Sequence, residues 1–192
     1  MGISIAFDSM SFLVVDDNAY MRTILRTILS SFGARKIYEA ENGADGLEKL
    51  KAFSPDIAII DWEMPVMNGP DMIRTLRNPD ECNQAFVPVI LLTAHTERHR
   101  IMQARNFGAH EILRKPVSPN AIYQRIASII LQPRPFIRTS NYFGPELRGE
   151  LGAAVEDKKK EIYADKRDDA SETNIDDYED SSAAPVKAES AA

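Results

Sequence analysis

The chain has 192 residues and a mass of 21.5 kDa, room for one domain of ordinary size plus an appendage. Its net charge of −6 belongs to its end: residues 146–192 carry 14 acidic and 7 basic residues, against 15 and 16 in the rest. The near-neutral body has no basic stripe, which excludes an electrostatic case for nucleic-acid binding, and no apolar run approaches the ~20 residues of a membrane helix.

Met1–Asp17 has no basic region ahead of its apolar residues, which argues against a secretory signal and for a cytoplasmic protein. Strand-like runs then alternate with helical periodicity. Met10–Val15 is the first strand, and Asn18–Phe32 the first helix, with Met21, Ile24, Leu25, Ile28, Leu29 and Phe32 at spacings of three and four and Gly33 as a stop. Lys36–Ala40 and Gly43–Phe53 repeat the pair, followed by strand Asp56–Ile60, a loop through Pro65 and Asn68-Gly69, and helix Pro70–Arg77. Asn78–Phe86 is polar and predicts a surface excursion, with Cys82, the single cysteine, as a bystander thiol. One cysteine allows no intrachain disulfide and suits a reducing compartment.

Strand Val87–Leu92, helix Thr96–Phe107, strand Glu111–Arg114 and helix Ser118–Leu131 complete the alternation. Strict βα order predicts an α/β fold, a parallel sheet with helices on both faces, over residues 8–132. Pro133 and Pro135 close the last helix. Residues 133–167 read as an aromatic linker and a possible helix. The aromatic stretch Phe136–Pro145 serves either as a strap packed on the domain or as a docking peptide. Residues 168–192 are acidic, poor in large apolar side chains and predicted to be disordered.

Four strand-like runs end in reactive polar residues: Asp16-Asp17, Asp61, Thr93 and Lys115. The carboxyl ends of parallel strands share one edge, so these groups converge on one crevice. Clustered carboxylates repel by roughly 4 kcal/mol per pair at ~4 Å and an effective dielectric near 20, which implies a resident cation. Oxygen ligands point to a hard ion, Mg²⁺. Asp17 and Asp61 are predicted to bind it directly and Asp16 through a water, with a backbone carbonyl just after Asp61, that of Glu63, completing the set. Beside such an ion Asp61 is a nucleophile toward phosphorus, Lys115 pairs with one phosphoryl oxygen and Thr93 donates a hydrogen bond to another.

These residues resemble the receiver domain of two-component response regulators, especially its stand-alone chemotaxis-type members. The similarity covers about Ser11 to Leu131 and rests on Val14-Val15-Asp16-Asp17, Met21–Leu25, Glu39–Gly43, Asp61–Gly69, Leu92-Thr93-Ala94 and Lys115-Pro116. It implies a five-stranded flavodoxin-like sheet in the order 2-1-3-4-5, the order the chemotaxis protein itself exemplifies. It also implies phosphorylation of Asp61 by a histidine kinase or a histidine phosphotransfer protein, and a cis Lys115-Pro116 bond. By the same resemblance Glu63 and His95 tune the phosphoryl lifetime. Where the family places Tyr or Phe, three residues before the lysine, this chain has Ile112, which fills the same pocket without a ring or hydroxyl to display.

The expected protein is not an enzyme with a separate substrate but a phosphoacceptor that assists its own phosphorylation and dephosphorylation. It signals by protein–protein contact, with no output domain after Pro133. Arg98, His99, Arg100 and Arg105 would offer an acidic partner, or the acidic tail, a docking face. A phosphate sink or relay, or a binding module working through its tail, is the alternative. An Asp-nucleophile phosphatase is more remote, because Asp16-Asp17-Asn18-Ala19 lacks the second aspartate two residues after the nucleophile.

Overall fold

The computed structural model describes residues 5–80, 82–94, 104 and 106–147. Strands β1 (Ser11–Val15), β2 (Lys36–Ala40), β3 (Ile57–Asp61), β4 (Val89–Thr93) and β5 (Glu111–Arg114) form a parallel sheet in the order β2-β1-β3-β4-β5. Every residue of β3 and β4 is buried, which is why those runs show no alternation. Their side chains still divide by parity. Phe12, Val14, Ile57, Ile59, Ile90 and Leu92 face one apolar cluster, which also takes Leu25, Ile28, Leu29, Ile122 and Ile126. Leu13, Val15, Ala58, Ile60, Val89 and Leu91 face the other, with Leu50, Met72, Ile73 and Leu76. Helices α1 (Ala19–Ser31) and α4 (Pro119–Leu131) therefore cover one face, and α2 (Gly43–Phe53) and α3 (Gly69–Leu76) the other.

The helices start where a side chain can satisfy their first amides. Asn18, Asn42, Asn68 and Ser118 are the N-caps, accepting from Tyr20 and Met21, Asp45, Asp71 and Ala121 respectively. At the far end of α1, Gly33 takes φ +104°, and the Gly33 and Ala34 amides return to the carbonyls of Ser30 and Leu29. The helix predicted over Thr96–Phe107, with Arg98, His99, Arg100 and Arg105, lies largely outside the described residues.

One region departs from the expected surface character, and a second follows one of its two readings. Asn78–Phe86 is not a free excursion, because Cys82 and Ala85 are buried. The cause is Arg77, whose buried guanidinium donates to the carbonyls of Ala85 (2.6 Å), Val87 (3.0 Å) and Gly108 (3.0 Å) and draws the connection onto the core. Beyond α4, β6 (Phe136–Arg138) and β7 (Phe143–Pro145) form an antiparallel hairpin. Phe136 packs against Phe86, His110 and Phe143 at ring-centroid distances of 5.0, 5.4 and 5.5 Å, so the aromatic stretch is a strap on the domain. The compact unit therefore runs to Leu147, past the edge at residue 132 that composition indicates. Residues 148–192 lie outside the described residues.

Burial drives the His110 imidazole down to about 3, with the Arg77 and Arg134 charges adding to it, so the ring stays neutral under the strap. Its Nδ1 accepts from the Val89 amide (3.3 Å).

Candidate functional site

Register brings the predicted residues to one edge. Val15 pairs with Ile60, so Asp16 and Asp61 occupy the next step on neighbouring strands. Asp61 pairs with Leu92, and Thr93 with Arg114, so Thr93 and Lys115 follow on the adjoining strand ends. The Trp62 amide donates to the Leu92 carbonyl (2.9 Å) and the Lys115 amide to the Thr93 carbonyl (2.8 Å), which extends the ladders past the strands and fixes the edge. Carboxylate oxygens of Asp16, Asp17 and Asp61 all lie within 4.8 Å of one another. Asp16 and Asp61 are buried and Asp17 is exposed, so the group opens to solvent on one side.

The Lys115 ammonium joins two of the three, donating to Asp61 Oδ1 (2.8 Å) and Asp16 Oδ2 (3.0 Å). Asp16 Oδ1 accepts from the Asn18 amide (2.9 Å), so both of its oxygens carry a protein donor. Burial raises the Asp61 pKa above its ordinary value, and repulsion from Asp16 adds to that. The hydrogen bond and charge of Lys115 and the Trp62 amide oppose the rise without cancelling it. Burial also works against the charged form of Lys115, but its bonds to Asp61 and Asp16 outweigh that and hold its pKa above the usual value. The pair is thus a cation held firmly by a carboxylate that is poorly solvated.

Arg22 supports this edge, and sequence reasoning did not single it out for the site. Its guanidinium donates to the backbone carbonyls of Asp16 (2.8 Å) and Asp17 (3.3 Å) and pairs with Glu39 and Glu41. The only hint in the sequence is position: an arginine early in a helix that begins two residues after Asp17 can reach back over the first turn. Gly69 closes the opposite wall. A Cβ there would stand 2.2 Å from the Asp61 carbonyl oxygen. Gly69→Ala is expected to destabilise the protein by about 2 kcal/mol or more, read by urea denaturation, and to disturb the backbone beneath Asp61.

Glu63 is exposed and lines, with Asp17, Trp62, Met64, Pro65 and Asn68, an open cleft of about 500 Å³ beside the carboxylates. Thr93 is buried at the end of β4. Ile112 is half-buried on β5 and packs against the apolar cluster that contains Trp62. His95 lies outside the described residues. The Lys115-Pro116 bond is cis, as the resemblance implies.

Chemically, this edge offers three carboxylates to a hard cation, one of them on a strand end, with an ammonium and a hydroxyl-bearing residue on neighbouring ends. Among the described residues no helix is long and apolar enough to cross a membrane.

Comparison with known proteins agrees with this geometry. The chain is 31% identical over 122 residues to chemotaxis protein CheY1 of Helicobacter pylori, covering 63% of this chain and 97% of that protein. It is 31% identical over 121 residues to chemotaxis protein CheY-3 of Vibrio cholerae, covering 63% and 92%. Among solved structures, V. cholerae CheY4 matches with a TM-score of 0.58 and 26% identity over 64% of this chain and all of that one (100%). A chain of the CheX-CheY-BeF3-Mg complex of Borrelia burgdorferi matches with a TM-score of 0.59 and 25% identity, over 66% of this chain and 95% of that one. Residues 12–127 match the response regulator receiver domain, and the chain belongs to that family, the receivers of two-component signalling.

Proposed function

We propose that this protein accepts a phosphoryl group on Asp61 in a Mg²⁺-dependent reaction and signals through the change in its contacts with other proteins. The observation that carries the reading is the carboxylate trio at the sheet edge, with Lys115 bridging Asp61 and Asp16. Asp17 and Asp61 would hold the ion directly. Asp16, with both oxygens already engaged, suits a role through water, and the Glu63 carbonyl would complete the protein's share. When bound, Mg²⁺ neutralises the clustered carboxylates and the incoming phosphoryl oxygens.

In the transfer, an Asp61 carboxylate oxygen forms a bond to phosphorus as the phosphorus–nitrogen bond of a donor phosphohistidine breaks. The electron pair of that bond stays on the departing imidazole. The donor is a histidine kinase or a histidine phosphotransfer protein. Lys115, now bonded to Asp61, would exchange that bond for one to a phosphoryl oxygen, and Thr93 at the adjoining strand end would donate to another. Hydrolysis reverses the charge change: water attacks phosphorus and the Asp61 carboxylate leaves. Exposed Glu63 lines the cleft that Asp17 also lines, and its assigned role is to act on that water. Glu63→Ala is expected to change the acyl-phosphate lifetime severalfold, measured by loss of label after the donor is removed. His95 is assigned the companion tuning role, and Ile112 the switch position.

The direct test is labelling by acetyl phosphate with Mg²⁺. The wild type should gain one phosphoryl group, and Asp61→Asn, or wild type in EDTA, should gain none. Label retained in Asp61→Asn overturns the assignment. A pull-down with and without beryllofluoride would then identify the protein whose binding depends on the modified state.

A further inference from the structure

The opposite edge of the sheet holds a second cavity, of mixed polar and apolar lining. It has a volume of about 520 Å³ and lies between the end of α3, the segment before β5 and the β6–β7 turn. Its position follows from Arg77, which is bonded to the carbonyls of Val87 and Gly108 just before β4 and β5. The phosphoacceptor edge is therefore a strand length away, roughly 15 Å at ~3.3 Å per residue.

Three arginines line this cavity: Arg74, Arg77 and Arg138. Arg77 is the unusual one, buried and with no carboxylate among its described partners. Three of its N–H groups go to backbone carbonyls, and its guanidinium carbon lies 5.2 Å from the Phe136 ring centre. A guanidinium has five N–H donors and a full positive charge, and among the described residues no carboxylate pairs with this one. Burial pushes its pKa down to about 10, which still leaves it charged at neutral pH. Arg74 and Arg138 are paired with Asp71 (2.7 Å) and Asp80 (3.4 Å), but all four side chains are at least half exposed, and such pairs yield readily to a better anion.

We infer that this cavity is a binding site for a small organic phosphate monoester, separate from the phosphoacceptor. A phosphoryl group brings two charges and three acceptor oxygens, which suits a cavity lined by three arginines better than a single carboxylate would. The volume lies within the ~300–1,000 Å³ of small-molecule sites and exceeds what a bare phosphate fills, so the ester's organic body occupies the remainder. Asn78, Asn141 and Tyr142 supply polar groups and a ring for that body. The hairpin contributes Arg138, Asn141 and Tyr142, so the site requires the strap as well as the receiver fold.

The test uses the full chain in EDTA, with backbone NMR shifts followed during titration. The probes are adenosine 5′-monophosphate, ribose 5-phosphate, inorganic phosphate and uncharged adenosine. Both esters should bind, moving Thr139 to Tyr142, while inorganic phosphate binds more weakly and adenosine not at all. Arg74→Ala and Arg138→Ala, both at exposed side chains that tolerate replacement, should each weaken ester binding at least about fivefold, while Asp61→Asn leaves it unchanged. Three results would overturn the site: no shift with either ester up to about 10 mM, which is weaker than any affinity of functional interest; binding indifferent to both arginine variants; or binding lost with Asp61→Asn. Inorganic phosphate binding as tightly as the esters would overturn the assignment of ligand class.

Discussion

Replacing Asp61 with asparagine is expected to make the metal-free protein more stable at neutral pH while removing its response to Mg²⁺. The buried Asp61 carboxylate has a raised pKa, so the native state binds more protons than the unfolded chain between the ordinary value of 3.8 and the raised one. Stability in EDTA should therefore fall as pH rises through that window, and stay lower above it. The asparagine variant lacks this slope, although Lys115 keeps its bond to Asp16. Adding Mg²⁺ works in the opposite direction for the wild type alone: at 100 times its dissociation constant it should contribute about 2.7 kcal/mol. Thermal melts in EDTA and in Mg²⁺, at pH 4 and pH 7, would show a crossover between the two proteins. If asparagine lowers stability in EDTA at pH 7, Asp61 is not the poorly solvated carboxylate described here.

The second large effect is expected at Arg77. Arg77→Met keeps much of the volume but removes the donors to the carbonyls of Ala85, Val87 and Gly108. Each buried carbonyl left without a donor costs about 1–3 kcal/mol, while relief from burying a charge offsets some of the sum. A net loss of about 3 kcal/mol is the expected outcome in urea denaturation, large beside the usual effect of a substitution. The damage should concentrate below the sheet. Amides of Val87 to Val89 and of the hairpin should lose hydrogen-exchange protection, while β1 and β3 keep theirs. A loss under 1 kcal/mol would mean that the neighbouring backbone finds other donors.

The sheet and its carboxylate edge were legible in the sequence because each strand is a short apolar run and its polar terminus follows at once. Asp61 after Ile57-Ala58-Ile59-Ile60 and Thr93 after Val89–Leu92 need only the rule that parallel strands end together. Helix starts were legible within a residue because apolar spacings of three and four set in directly after each loop. What stayed hidden depends on contacts distant in sequence. Arg77 closes α3 with a charge, an ordinary choice for a helix end, and nothing nearby announces that its acceptors lie at Ala85, Val87 and Gly108. Burial of Cys82 follows from the same clamp, so the polar composition around it misleads. The strap was one of two readings of Phe136–Pro145, and the choice rested on Phe86 and His110 presenting surfaces that only the folded chain brings together. Arg22 was likewise hidden, since its acceptors are backbone carbonyls, which carry no signature in sequence.

Trp62 is the chain's single tryptophan, directly follows Asp61, is 9% exposed and lies 6.3 Å from the Phe107 ring. Its amide is bonded to the Leu92 carbonyl, so its backbone is held by the same strand that ends in Thr93. The molecule consequently carries a built-in optical probe beside the Asp61 carboxylate. Ultraviolet emission from one known place would report the proposed ion uptake and acyl-phosphate turnover in real time, without a dye or an added label.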